Sequence, residues 1–264
     1  MIEMLFGAIN STADAGAIMD EIRKRDGKIN GLETIPEYNI ASVVYALETE
    51  LAAAEAKKSG SKNKLSVMKA ILKSAKKLNQ GKPIFHNCTL IEGYQVAIDG
   101  YRALFSKEIM SGVVNNTVNI DVSEENINSV VNLATDLIGK INDNNTEITV
   151  CDYKLIENEH RILKAAASKY QKDKIRVIIN DEYVYNAEYL IDGLKAINTE
   201  KIYVTNRKTI AAIKNDIGDT YCIMPIGYRN IEEIKKDGMY ISIQDGKIVK
   251  NFDGVQILSV HTNK

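Results

Sequence analysis

The sequence predicts an α+β protein in which two similar units follow one another along the chain. The first observation is that helix, strands, helix and strands occur in this order twice between about residues 62 and 227, which indicates an internal repeat. The second is that runs of strands are separated by single helices, which favours α+β over alternating α/β units. We therefore expect tandem antiparallel sheets with their helices on one side.

Residues 1–60 predict a helical extension outside the repeat. The cap-type residues of STADAG precede an apolar pattern, and Pro36 begins a second stretch rich in Ala, Leu and Glu. The segment SGSKNK at 59–64 has the composition of a linker. The repeat therefore begins at about residue 61.

The first unit is predicted to cover residues 61–152 and to open with the helix KLSVMKAILKSAKKLN. At 100° per residue, one arc of this helix is apolar and the opposite arc is basic. The apolar arc holds Leu65, Val67, Met68, Ile71, Leu72, Ala75 and Leu78, and the basic arc holds Lys69, Lys73, Lys76 and Lys77. Strands follow at IFHNCTLIEG and YQVAIDGYRALFSK, with a hairpin signal at Glu92-Gly93. We then expect a strand at 118–123, a helix at 123–140 and a strand at 147–153.

The second unit is predicted to cover residues 153–227. Its first helix, IENEHRILKAAASKYQ, again has two faces. The predicted core face holds Ile156, Ile162, Leu163, Ala166 and Tyr170, and the basic side holds Arg161, Lys164 and Lys172. A strand KIRVIIND, a helix NAEYLIDGLKAIN and the strands KIYVTN, TIAAIKN and TYCIMPI follow. Residues 228–264 alternate around Asp245-Gly246 and predict a C-terminal β-hairpin extension.

Positive charge is concentrated in one segment. Residues 56–91 contain nine Lys and no Asp or Glu, so this segment carries +9 and the rest of the chain −10, for the net charge of −1. One concentrated basic surface on a nearly neutral protein is typical of contact with a polyanion. A lysine face kept only for solubility is the alternative.

The composition indicates a soluble, cytoplasmic protein. No apolar segment reaches the ~18 residues of a membrane span, and the N-terminus carries Glu3 without a basic region before it. Cys88, Cys151 and Cys222 are far apart in the sequence, which favours buried thiols over disulfides or a zinc site.

Catalysis has little support in the sequence. His86, His160 and His261 lack metal-ligand spacing, Cys151 has no nearby His, and no glycine-rich phosphate loop precedes a helix. We therefore predict no enzyme activity, no cofactor and no metal. An enzyme acting on nucleic acid remains the weaker alternative. Its candidate acids would be Asp152, Glu157 and Glu159, which lie near one another in the sequence.

Two separated segments carry a resemblance to a known family. GYQVAIDGYRA at 93–103 resembles the second-domain segment of bacterial DNA polymerase III beta-subunit sliding clamps, where a strand ends in Ala-Thr-Asp-Gly-(His/Tyr)-Arg-Leu-Ala. YNAEYLIDGLKAI at 185–197 is similar to the last helix of the final clamp domain. YCIMPI at 221–226 is similar to the terminal Met-Pro strand of the family. The resemblance covers roughly 62–227 and corresponds to the second and third clamp domains.

The resemblance implies a replication processivity factor. Clamp rings contain six units, so two units per chain would imply a homotrimer around duplex DNA. Basic side chains of the first helices would face the DNA without sequence preference: Lys69, Lys73, Lys76, Lys77, Arg161, Lys164 and Lys172. A hydrophobic pocket would bind short peptide motifs of DNA polymerase and other replication proteins. Its walls would be Ile98, Gly100, Tyr101, Arg102 and Ala103 on one side and Met224, Pro225 and Ile226 on the other.

The sequence departs from the family at several places. Ile98 stands where clamps usually have Thr, and Ala103 where they usually have Leu. Residues 1–60 and 228–264 have no clamp counterpart. The alternative is therefore a monomeric clamp-fold module that binds replication proteins without encircling DNA.

Overall fold

The computed structural model describes a set of ranges that excludes the first 60 residues. These ranges are 61–78, 86–91, 93–110, 113, 132–133, 136–137, 139–140, 142, 146–236, 239–252 and 255–258. The predicted extension at 1–60 and the predicted strand at 118–123 lie outside them. The described residues of 132–142 are helical, within and just beyond the helix predicted at 123–140.

The described chain is α+β, as predicted. Its helices are Lys62–Leu78 (α1), Tyr153–Ala166 (α2), Ala187–Ile197 (α3) and Ile231–Lys236 (α4), and Lys172–Lys174 form a short 3-10 helix. Its strands are Thr89–Ile91 (β1), Tyr94–Ile98 (β2), Arg102–Ser106 (β3), Thr146–Thr149 (β4), Arg176–Ile179 (β5), Tyr183–Asn186 (β6), Lys201–Val204 (β7), Ala211–Lys214 (β8), Thr220–Ile223 (β9), Tyr240–Gln244 (β10), Lys247–Phe252 (β11) and Val255–Leu258 (β12).

A seven-stranded antiparallel sheet joins the two halves of the sequence. Its strand order is β1-β2-β3-β9-β8-β7-β4, and β3 pairs with β9 so that Arg102 lies opposite Ile223. Strands on both sides of the predicted boundary at residue 152 therefore belong to one sheet. The tandem units and their boundaries stay predictions.

A five-stranded sheet holds the C-terminal part of the described chain. Its order is β12-β11-β10-β5-β6, and the only parallel pair in this order is β10 with β5. The predicted hairpin at Asp245-Gly246 is confirmed, and both residues have positive φ (48° and 74°), as a type I′ turn requires. Because β10 pairs with β5, this hairpin extends the sheet of the preceding region.

A second hairpin was not predicted from the sequence. β5 and β6 are joined through Asn180 and Asp181, whose φ values are 50° and 54°. Asn and Asp tolerate this left-handed conformation better than other non-glycine residues. The signal for this hairpin in the sequence is therefore the Asn-Asp pair, which lies between two runs of β-branched and aromatic residues.

Helix α3 lies at the centre of the core. The side chain of Asn186 caps its first turn and Asn198, with φ 56°, ends it. Its apolar residues Leu190 and Leu194 belong to the cluster that also receives strands from both sheets. At Gly193 a Cβ would lie 2.5 Å from the Tyr221 ring, so only glycine permits this close approach of helix to sheet.

The predicted core face of α1 is largely confirmed. Leu65, Val67, Met68, Ile71 and Ala75 are buried and Leu72 is half-buried, whereas Leu78 is exposed. Helix α1 packs against the same sheet face as α3, through Ala97 and Leu104 in the shared cluster. A smaller cluster contains strand residues that alternate with those of the main cluster, among them Ile98, Ala103 and Cys222. Leu137 belongs to this smaller cluster as well.

The predicted core face of α2 is corrected by the structure. The helix begins at Tyr153, ends at Ala166 and buries only Ile156 fully. Ile162 is exposed, and Tyr170 lies beyond the end of the helix with 83% of its surface exposed. Lys172 lies in the following 3-10 helix and not on α2. Ala167 adopts an extended conformation (ψ 140°), which stops the helical pattern five residues before the predicted end.

A buried ion pair attaches the beginning of α1 to the seven-stranded sheet. Lys64 Nζ lies 2.7 Å from a carboxylate oxygen of Asp219 and 3.2 Å from one of Glu108. Asp219 also accepts hydrogen bonds from the backbone N–H of Lys107 (2.8 Å) and the side chain of Asn215 (3.3 Å). Burial acts to raise the pKa of Asp219, but these donors outweigh burial, so its pKa lies below the ordinary value.

We expect Asp219→Asn to lower the free energy of unfolding at pH 7 by about 1–3 kcal/mol. A depressed native pKa stabilises the fold above the unfolded value of about 3.9, and this contribution is lost as the pH falls through the native pKa. The variant should therefore lose less stability than the wild type in acid. Urea titrations at several pH values measure this, with exposed Asp216→Asn as the control. Identical acid dependence in Asp219→Asn and the wild type would contradict the prediction.

Candidate functional site

The segment Asp99–Arg102 forms the tight turn that joins β2 to β3. The N–H of Asp99 donates to the carbonyl of Arg102 (3.1 Å), and Gly100 has φ +98° at the first central position, as a type II′ turn requires. The carboxylate of Asp99 accepts from the backbone N–H groups of Tyr101 (3.0 Å) and Arg102 (3.1 Å). These bonds fix the turn and leave Tyr101 at its tip.

Arg102 fixes this turn to helix α3. Its side chain is buried and donates to Asp99 (2.9 Å) and to Asp192 on α3 (2.5 Å). The guanidinium carbon lies 4.2 Å from the centroid of the Tyr189 ring, which is within cation–π distance. One arginine therefore connects a hairpin turn, two carboxylates and an aromatic ring.

Burial raises the pKa of three groups around Arg102. Burial raises the pKa of Asp192 above its ordinary value, although Arg102 acts to lower it. Burial also raises the pKa of Tyr189 and, more strongly, that of Tyr221, whose hydroxyl donates to the carbonyl of Tyr189 (2.9 Å). Both phenols therefore stay protonated near neutral pH.

Two of the segments on which the resemblance was based, 93–103 and 221–226, meet beside this turn. The N–H of Met224 donates to the carbonyl of Tyr101 at 2.9 Å, where β9 passes β3. Tyr101 is 53% exposed and Met224 is 43% exposed, and the Tyr101 ring lies 6.5 Å from that of half-buried Tyr189. We call the set Tyr101, Tyr189 and Met224 the tyrosine–methionine surface.

The other predicted pocket residues have different environments. Ile98 and Ala103 are paired across β2 and β3 and buried in the smaller core cluster, so they contribute no exposed wall. Pro225 and Ile226 are half-buried, and the N–H of Ile226 donates to the carbonyl of Val184 in the other sheet (2.8 Å). The Met-Pro segment thus leads from one sheet to the other, and Ile226 also lines a cavity.

The predicted DNA-facing cations divide unequally between the two helices. Lys73, Lys76 and Lys77 are exposed on α1 and Lys69 is half-buried. The four lysines of α1 have no acidic ion-pair partner among the described residues.

The cations of the second helix lie among acids. Arg161 is exposed and donates to Asn158 (2.8 Å), and Lys164 lies 3.8 Å from the carboxylate of Glu188. Exposed Glu157 on the same helix pairs with Lys195 (3.3 Å). Helix α2 therefore has mixed charge, unlike α1.

The residues considered for catalysis have structural partners. Asp152 caps α2 by accepting from the N–H of Lys154 (2.9 Å). Among the described residues, no three His, Cys, Asp or Glu side chains are grouped as a metal site would require. The three cysteines are buried and unpaired as predicted, and burial raises the pKa of Cys88 and Cys151 to about 12.

None of the helices in the described ranges has the length and apolar character that crossing a bilayer demands.

Comparisons with protein-family models, curated proteins and solved structures found no match for this chain.

Proposed function

We propose that the protein is a clamp-like DNA replication factor that encloses duplex DNA as a homotrimer and tethers a polymerase to it. The proposal rests mainly on the hydrogen bond between Met224 and Tyr101, which joins two motifs that are 123 positions apart in the sequence. Both residues expose a large side chain at the point of contact. An exposed Tyr beside an adaptable Met suits recognition of short apolar peptides.

The charge of α1 supports the DNA-binding part of the proposal. Three exposed lysines lie within five residues at the end of this helix, opposite its buried face. Lysine side chains attract phosphates without reading the bases, which allows a protein to move along DNA. A nearly neutral chain with one basic surface fits this role.

The mixed charge of α2 favours the monomeric alternative. A ring lined by both helices would place Lys164 and Glu188, as well as Glu157, near the DNA-facing side chains of that unit. A monomer needs only the face of α1. In that second proposal, the protein binds replication proteins through the tyrosine–methionine surface and contacts DNA from one side.

The tyrosine–methionine surface can be tested by primer extension with a replicative polymerase from the protein's own source. We expect Tyr101→Ala combined with Met224→Ala to weaken stimulation by about tenfold or more, because truncation of interface anchors costs about 2 kcal/mol each. The fold should be unaffected, since both side chains are substantially exposed.

The matched control is Ile162→Ala combined with Tyr170→Ala. This pair also removes one exposed aliphatic and one exposed aromatic side chain, at a different place on the molecule. We expect wild-type stimulation from the control. Equal losses in both double variants would count against a specific peptide surface.

A further inference from the structure

A cavity of about 540 Å³ lies beside the segment that leads from one sheet to the other. Its walls come from Lys174 and Arg176 at the start of β5 and from described residues between β9 and β10. The backbone there is fixed, because Ile226 donates to Val184 (2.8 Å) and the N–H of Arg176 donates to Met239 (3.0 Å). The volume is within the range of about 300–1,000 Å³ that small-molecule sites occupy.

The charged residues of the cavity lining are predominantly basic. Lys174, Arg176 and Arg229 contribute three positive charges and Glu233 one negative charge, so the lining carries +2. Arg176 donates from Nη1 to the carbonyls of Asp173 (3.2 Å) and Ile175 (3.3 Å), which holds its guanidinium in place. Lys174 and Arg229 are exposed and form no ion pair with an acid in the described ranges. These cations are suited to binding a multiply charged anion.

The rest of the lining is aromatic and apolar. Ile226, Ile234 and Met239 line the cavity together with Tyr228. The Tyr228 hydroxyl donates to the carbonyl of Glu182, and the guanidinium carbon of Arg207 lies 5.2 Å from the ring centroid. The ring is therefore held from two sides, and a fixed aromatic ring is a surface on which a nucleobase can stack.

We propose that this cavity binds a nucleoside phosphate. Its phosphate groups lie against Lys174, Arg176 and Arg229, and its base lies against Tyr228 and the apolar wall. A free nucleotide and the terminal 5′-phosphorylated nucleotide of a single strand present this same chemistry. Paired bases inside a duplex cannot enter such a cavity, so the site is separate from the duplex contact proposed for α1 and does not depend on it.

The test uses the full-length protein and two fluorescent probes, labelled ATP and a 5′-phosphorylated oligothymidine, with the unphosphorylated oligothymidine beside them. Lys174→Gln combined with Arg229→Gln removes two exposed charges of the cavity. Gly227→Leu keeps every charge and adds a bulky side chain to a lining residue, where a Cβ would meet no atom within 4 Å. The control, Lys154→Gln combined with Lys247→Gln, removes the same charge from exposed positions outside the cavity lining.

We expect at least about tenfold weaker binding in the charge variant and in Gly227→Leu, and wild-type binding in the control. Tight binding of ATP would identify a free nucleotide as the ligand. Binding of the oligothymidine that requires its 5′-phosphate would identify a strand end. The proposal is overturned if neither probe binds, or if the control weakens binding as much as the cavity variants do.

Discussion

We expect Arg102→Met to lower the free energy of unfolding at neutral pH by about 3–5 kcal/mol. Methionine keeps part of the apolar volume but leaves Asp99 and Asp192 without their common cation. The Asp99 side chain is fully buried and keeps the backbone N–H donors of its turn, but a buried carboxylate that loses its cation is more costly than the ion pair that it replaces. The contact with Tyr189 is lost as well. Chemical denaturation measures the change.

The pH dependence of this variant separates charge from packing. Without Arg102, Asp192 should have a native pKa further above its unfolded one, because burial already raises the pKa of this carboxyl with the cation present. A raised native pKa of a carboxyl group lowers the free energy of unfolding at pH values above that pKa. Protonation of the group removes this loss as the pH falls. The difference from the wild type should therefore shrink toward pH 4.

The control for this prediction is Arg161→Met, which changes an exposed arginine on α2. We expect its free energy of unfolding to stay within about 0.5 kcal/mol of the wild type. A loss below about 1 kcal/mol in Arg102→Met, or a deficit that does not vary with pH, would show that the ion cluster does not hold the turn.

The second large effect concerns DNA. We expect the triple change Lys73→Gln, Lys76→Gln and Lys77→Gln to weaken binding to duplex DNA by about tenfold or more near 0.1 M salt. Each lost phosphate contact lowers the slope of log affinity against log salt concentration by about 0.9, so the slope should fall by up to about 2.7. Fluorescence anisotropy on two duplexes of unrelated sequence measures both quantities, and the two sequences should give equal values.

A triple variant with the same charge change provides the comparison. Lys208, Lys236 and Lys247 are exposed and lie away from α1 in the sequence. Replacing these three with glutamine should leave most of the affinity and of the salt slope. If the two triple variants bind DNA equally, the basic face of α1 has no particular role and its lysines serve solubility.

Local patterns were sufficient to predict most elements of the fold. The helical period located the buried face of α1, and Asp245-Gly246 located a hairpin, because both signals depend on residues near one another in sequence. The meeting of Tyr101 with Met224 was expected only from the family resemblance. Periodicity gives no information on pairing between strands that lie more than a hundred residues apart.

There is a physical reason why other features of the site could not be predicted from the sequence. Lys64 lies in a run of lysines, and only the position of Asp219 in the folded chain decides that it is buried. Likewise, Arg102 resembles an exposed interface residue in sequence but pairs with Asp192 ninety positions away. The parallel pairing of β10 with β5 also brings together the walls of the basic cavity, whose cations are scattered along the sequence.

The molar mass in solution tests the proposed ring most directly. Light scattering coupled to size exclusion, repeated at several protein concentrations, distinguishes the two architectures without assuming a partner. A closed six-unit ring predicts a stable species near three times 29.4 kDa at every concentration. A species of 29.4 kDa at the highest concentration would contradict the ring and favour the monomeric module.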